Sequence, residues 1–142
     1  VLVDIKGKAA VVTGASSDEG IGSECAKILA SRGCNVVVNY ASNKAGGEAI
    51  VIPCNISRKP EVEALIQGTL DKWGKIDSLV CNAAVNPYYG PMAGLSDDAF
   101  DKIMGSNVKS NIWLSNLAIP GMAARGGGTS LASPGSRIED MP

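Results

Sequence analysis

Short unbroken apolar runs alternate along this chain with longer stretches in which apolar residues recur at helical spacing. Ala9 to Val12 is apolar and leads through Thr13-Gly14 into a glycine-rich stretch ending at Gly20-Ile21-Gly22. Ile21, Cys25, Ile28 and Leu29 then fall at i, i+4, i+7 and i+8, which predicts a helix with one apolar stripe packed on a sheet. Arg32-Gly33 predicts its end, since a basic residue suits the negative end of the helix dipole and glycine suits the left-handed position beyond it. Asn35 to Asn39 carries three consecutive valines and predicts a parallel strand covered on both faces. Val11 to Asn39 therefore reads as one βαβ unit.

The alternation continues downstream. Ile50 to Cys54 is strand-like, Val62, Leu65, Ile66, Thr69 and Trp73 space out as a helix ending at Gly74, and Ile76 to Cys81 is again strand-like. Asp97 to Met104 and Val108 to Ala118 predict a long, slightly interrupted helix. Strands alternating with helices predict an α/β fold, a doubly wound parallel sheet in a single domain over residues 1–128, with 129–142 as an irregular tail. Roughly ten residues, Tyr40 to Ala49, separate the second and third strands, where a right-handed crossover takes about a dozen or more. Ala45-Gly46-Gly47 also lowers helix propensity there. The expectation is that residues are lost near Ala45-Gly46 and again after Gly128, so that later strands are missing and the fourth strand is left as a sheet edge.

The first strand, turn and helix start aim backbone N–H groups and a positive helix end at one point, where a pyrophosphate can sit without a cationic side chain. Gly14, Ser16, Ser17, Gly20, Ile21 and Gly22 are the candidate contacts. Asp18 and Glu19 lie in the same turn, and their carboxylates would repel a pyrophosphate unless the turn bulges into solvent.

On these residues the chain resembles the short-chain dehydrogenase/reductase family, whose fingerprint is Thr-Gly, three residues, then Gly-x-Gly. Thr13-Gly14 and Gly20-Ile21-Gly22 match it, with five residues between Gly14 and Gly20. Divergent enoyl reductases of the same superfamily also carry a longer first turn. Cys81-Asn82-Ala83-Ala84 looks like the family's Asn-Asn-Ala-Gly element, with Cys81 in place of the first Asn and Ala84 in place of the Gly. The resemblance implies that Asn82, Ala83 and Ala84 let the backbone approach the coenzyme ribose, Asn82 holding the strand end by amide hydrogen bonds. Val85 to Pro91 is similar to the substrate-side loop of carbonyl reductase-like members, in which Tyr88, Tyr89, Pro91 and Met92 could line an apolar pocket. Asn107 matches the family's catalytic asparagine, which positions a proton-relay water against the active-site lysine.

The implied fold is Rossmann-like. The implied activity is hydride transfer between NAD(P)(H) and a small-molecule carbonyl or alcohol substrate. The alternative is a catalytically silent nucleotide-binding or interaction protein built on the same fold. The family's catalytic Ser and Tyr-x-x-x-Lys are not matched after Gly128: Ser133 stands near the serine position but precedes Pro134, and no Tyr follows Tyr89. Tyr40-Ala41-Ser42-Asn43-Lys44 matches the Tyr-x-x-x-Lys spacing, yet it follows the second strand, where the family contacts the adenosine half of the coenzyme. Tyr40 and Ser42 are accordingly read with Asn39 as coenzyme contacts. An acidic residue at position 39 would bind both ribose hydroxyls and repel a 2′-phosphate. Asn39, with Ser42 and Lys44 nearby, favours NADP, with NAD possible. Asn55 sits where the family has an Asp at the adenine edge, and Ile56 beside it completes that contact. The family also implies a homo-oligomer, a tetramer assembled through the long helix, with Trp113 as a candidate contact.

Composition narrows the alternatives. The 142 residues contain no His, which removes Ser-His-Asp and Cys-His nucleophile schemes and His-containing zinc sites. Cys25, Cys34, Cys54 and Cys81 are too irregularly spaced for a Cys-x-x-Cys metal site and read as reduced thiols. A net charge of −1 with dispersed basic residues argues against nucleic acid. No apolar stretch approaches about 18 residues and Val1-Leu2-Val3-Asp4 lacks the start of a signal peptide, so neither membrane nor export is expected and the location reads as cytoplasmic.

Overall fold

The computed structural model describes residues 4–15, 19–39 and 49–132. Among these, five parallel strands form one sheet in the order β3-β2-β1-β4-β5: β1 (Ala9–Val12), β2 (Asn35–Val38), β3 (Ala49–Val51), β4 (Ser78–Cys81) and β5 (Thr129–Ala132). The helices are α1 (Ile21–Ser31), α2 (Lys59–Trp73), α3 (Asp97–Met104) and α4 (Ser110–Ala124), with a π turn over Gly105–Lys109 joining the last two. This is the doubly wound, Rossmann-like architecture that the alternating pattern predicts.

Period-two side chains divide the core into two layers. Val11 of β1 and Val37 of β2 face α2 and α4, where they meet Val62, Leu65, Ile66, Leu114, Ala118 and Met122. Ala10, Val12 and Val36 face the other way, against Ala26 and Ala30 of α1. The α2 layer holds large side chains and the α1 layer small ones.

That difference corrects the predicted α1 stripe. Ile21 and Ile28 are 60% and 51% exposed, Cys25 and Leu29 are partly buried, and the buried residues are Gly22, Ser23, Ala26 and Ala30. Gly22 explains the rotation: a Cβ there would lie 2.6 Å from Asn82 Nδ2 and 2.7 Å from the Gly14 carbonyl. The helix is held so close to the sheet at its first turn that Gly22, Ala26 and Ala30, one turn apart, must take the inner face.

Other elements end for local reasons. Arg32 and Gly33 (φ 80°) close α1, and Gly74 (φ 69°) closes α2 in the left-handed conformation, its N–H bonding the Leu70 carbonyl. The third strand is shorter than predicted, because Pro53 has no N–H to extend the ladder beyond Ile52, whose N–H still donates to Val38.

Thr129–Ala132 also departs from the expected irregular tail. It pairs with β4 from Ser78↔Thr129 to Cys81↔Ala132, so β4 is an inner strand. The four residues of β5 are exposed, and backbone pairing alone makes them a strand.

Candidate functional site

The carboxyl ends of β1, β2 and β4 converge on the turn that follows β1, as expected for ligand binding in an open parallel sheet. Gly14 opens this turn at φ 68°, and a Cβ on it would fall 2.5 Å from Ala83 Cα. Both glycines flanking the turn are therefore required by the packing of the protein on itself, before any ligand is considered. Gly20 caps α1 without a side chain. Ser23 folds back on it, its hydroxyl accepting from the Gly20 N–H at 3.0 Å and donating to the Gly20 carbonyl at 2.7 Å. Gly20 at the N-cap thus places no side chain of its own over the first-turn N–H groups of α1, which suits an anion. Glu19 is exposed. Ser16, Ser17 and Asp18 lie outside the described residues, as do Tyr40, Ser42, Lys44 and Ser133.

Thr13, which the sequence presents only as half of a motif, locks two strand ends together. Its hydroxyl accepts from the N–H groups of Asn82 and Ala83, each at 3.1 Å, and reaches the Val80 carbonyl at 3.4 Å. Asn82, 7% exposed, donates from Nδ2 to the carbonyls of Thr13 and Gly14 at 3.2 and 2.9 Å. It holds the strand end as anticipated. Asn82 Oδ1 is the one buried side-chain nitrogen or oxygen atom without a partner among the described residues, so the cradle keeps an open acceptor. A helix start with a glycine N-cap, two glycines with no room for side chains and an open buried acceptor fit the phosphate and ribose of a dinucleotide.

Asn39 turns its amide inward. It is 4% exposed, its Nδ2 donating to the Cys54 carbonyl at 2.8 Å and its Oδ1 lying 3.4 Å from the Gly14 N–H. Its amide ties the end of β2 to the β1 turn and to the end of β3. Asn55 is exposed, its Oδ1 accepting from the Ser57 N–H at 3.0 Å, and Ile56 beside it is buried.

Asn107 lies in the π turn and meets the chain just beyond Ala84. Its Oδ1 accepts from the Val85 N–H at 2.8 Å and its Nδ2 donates to the Val85 carbonyl at 2.9 Å, while its own carbonyl accepts from Asn111 Nδ2 at 2.9 Å. Further along, the Tyr88 hydroxyl donates to the Pro91 carbonyl at 2.8 Å, with its ring against Gly90 and Gly94. Tyr88 braces the loop from within, leaving Tyr89 and Met92 as its exposed apolar residues. Trp113 packs partly into the α2 layer with the Lys109 ammonium 5.3 Å from its ring centre.

Neither thiol near the strand ends is poised for nucleophilic chemistry. Burial pushes Cys81 up to about 11. Burial and the nearby Glu61 carboxylate push Cys54 to about 11, against the opposing hydrogen bond from Asn39.

A family model described as enoyl-(acyl carrier protein) reductase matches residues 14–139. Short chain dehydrogenase/reductase astE of Aspergillus oryzae is 34% identical over 97% of this chain and 57% of its own length. Dehydrogenase/reductase SDR family member 2, mitochondrial, of Homo sapiens is 36% identical over 92% of this chain and 51% of its own length. The chain thus spans about half the length of the curated relatives it matches. Among solved structures, a metagenomic short-chain oxidoreductase in complex with NADP superposes with a TM-score of 0.79 and 31% identity, over 90% of this chain and 62% of that one. An NADH-dependent reductase, A1-R′, responsible for alginate metabolism gives 0.77 and 25%, over 89% and 58%.

Proposed function

The chain belongs to the short-chain dehydrogenase/reductase family, and from that premise we propose that it is the coenzyme-binding part of an oxidoreductase that transfers a hydride between NADP(H), or NAD(H), and a carbonyl or alcohol. One observation carries this reading: Gly14 and Gly22, packed against Ala83 and Asn82, set a helix start with a glycine N-cap beside an open buried acceptor. Bound there, the nicotinamide coenzyme would supply the hydride chemistry.

The residues of this chain bind and position. The first turn of α1 faces the diphosphate, Asn82 to Ala84 approach the ribose, and Asn55 with Ile56 borders the adenine. Asn107 fixes Val85 at the entrance to the substrate-side loop, and its place in the family pattern supports a part in the proton relay. A neutral residue at position 39 supports NADP(H), because no carboxylate stands there to repel a 2′-phosphate. The NADP complex of a 31% identical relative supports the same choice. Ser, Tyr and Lys of the family's proton-transfer group belong in this reading to sequence beyond the matched half. A cytoplasmic location and a homo-oligomer, tetrameric by family pattern, complete it. The exposed apolar residues Phe100, Met104, Val108, Ile112 and Ile119 along α3, the π turn and α4 support assembly.

Calorimetric titration of the 142-residue chain with NADPH and NADH tests the proposal. Binding, tighter for NADPH, is the expected result, and absence of heat with both at millimolar concentration overturns it. Binding by a longer protein that carries the Tyr-x-x-x-Lys segment, without oxidation of NADPH in the presence of small ketones, would favour the silent nucleotide-binding alternative.

A further inference from the structure

Two consecutive residues of the π turn are tethered to different parts of the chain. Asn107 holds Val85, and Ser106, 2% exposed, shares a 2.7 Å hydroxyl hydrogen bond with Ser57 in the loop before α2. Ser57 is in turn fixed by Asn55, whose Oδ1 accepts its N–H. A continuous path of hydrogen bonds and adjacent residues therefore runs from Asn55 through Ser57, Ser106 and Asn107 to Val85. It joins the loop assigned above to the adenine with the loop assigned to the substrate.

A π turn is a rare, widened stretch of helix that is frequent at functional sites. Consecutive helical side chains diverge by about 100°, so tethers from Ser106 and Asn107 pull on the widened turn in different directions. Without Ser57 the buried Ser106 hydroxyl would lose its partner and turn back toward a carbonyl of the preceding helical turn, a bond that competes with the π geometry. We infer that Ser57 and Ser106 are a positioning pair that holds the π turn open and so sets the Asn107 clamp on Val85. Both residues act through Asn107 and neither is placed on the reacting atoms. The inference deepens the coenzyme reading, on which the naming of the two loops rests.

Amide hydrogen exchange of Val85, measured by NMR on the 142-residue chain without coenzyme, tests the pair. Leu79, in the core of β4, is the internal reference for global opening. In Ser57→Ala the Val85 amide should exchange about three to ten times faster, the range expected for loss of one hydrogen bond, while Leu79 keeps its rate relative to the transition midpoint. Ser57→Thr keeps the hydroxyl on an exposed residue and should restore the original Val85 rate. An unchanged Val85 rate in Ser57→Ala, equal acceleration of Val85 and Leu79, or failure of Ser57→Thr to restore it overturns the inference. Because this measurement contains no coenzyme, its failure is distinct from failure of NADPH to bind, which counts against the coenzyme reading alone.

Discussion

Asn107 closes a two-bond ring on the backbone of Val85, accepting from its N–H and donating to its carbonyl, across 22 positions of sequence. A side-chain amide carries a donor and an acceptor side by side and so pairs with both the N–H and the carbonyl of one residue. Asn107→Leu should therefore leave both Val85 groups unpaired and cost about 1 to 3 kcal/mol. Urea denaturation measures the loss. Asn107→Asp keeps the acceptor but sets a carboxylate against the Val85 carbonyl, so it should be no more than a partial rescue.

Gly14 and Gly7 share nearly the same backbone conformation, at φ 68° and 71°, but not the same surroundings. A Cβ on Gly7 meets nothing within 4 Å, whereas on Gly14 it would overlap the Ala83 backbone. Gly7→Ala should cost about 1 to 2 kcal/mol of backbone strain, and Gly14→Ala about 3 to 5 kcal/mol once overpacking is added. Thermal or urea unfolding of the two variants gives the comparison. Equal losses would mean that close approach to Ala83 is not what requires glycine at the turn.

The βαβ unit and its glycine turn were legible in the sequence because Val11 and Val37 sit in unbroken apolar runs and the turn has few alternatives. The orientation of α1 was not. Apolar size ranks Ile21 and Ile28 above Ala26 and Ala30, but the approach distance at Gly22 decides which face is inside. Nor was β5, since Thr129-Ser130-Leu131-Ala132 is exposed and is made a strand by backbone bonds to β4 that no side-chain period announces. Asn39 was located correctly at the end of β2, but its partners, Gly14 and the Cys54 carbonyl, come from elements distant in sequence.

That inward placement changes what a coenzyme-switching mutation should do. Asn39→Asp would add the carboxylate expected to disfavour a 2′-phosphate, but an aspartate cannot donate to the Cys54 carbonyl. The variant should bind NADPH more weakly and also lose about 1 to 3 kcal/mol of stability, with no compensating gain in NADH affinity. Parallel urea melts and NADPH and NADH titrations separate the two effects. A stable variant that gains NADH affinity would mean that Asn39 is free to leave its buried partners.

Asp77 gathers three strands at their starts. Its carboxylate accepts from the Ala9 N–H at 2.9 Å and lies 3.3 Å from Lys75 Nζ, and its carbonyl accepts from the Thr129 N–H at 3.0 Å. Burial alone would raise its pKa, but the Ala9 hydrogen bond and Lys75, with a further pull from Lys8, hold it below the ordinary 3.8. A carboxylate with a lowered folded pKa stabilises the fold above its unfolded value, and that contribution disappears as pH falls through the folded value. The stability gap between the unmutated chain and Asp77→Asn should thus be full at neutral pH, hold to about pH 5 and narrow as the pH drops below about 4. Denaturant midpoints across that range follow it, and a gap that widened on acidification would contradict the assignment.

The cysteines offer a test of packing without mutation. Cys34 and Cys81 are buried, and Cys54 is partly buried. Burial raises the pKa of Cys34, assisted by Asp77 and opposed by Lys75, and places Cys54 and Cys81 at about 11. A thiol at that value is about 0.1% thiolate at pH 8, against about a quarter for an ordinary one, because ionisation falls tenfold per pH unit below the pKa. Under native conditions iodoacetamide should therefore modify Cys54 and Cys81 at least about a hundred times more slowly than in urea, with Cys34 also protected by burial. Peptide mapping by mass spectrometry after timed quenching reads each site separately. Rapid native labelling of Cys81 would show that the end of β4, and with it the Asn82 lock on the glycine turn, opens more often than its buried, hydrogen-bonded geometry implies.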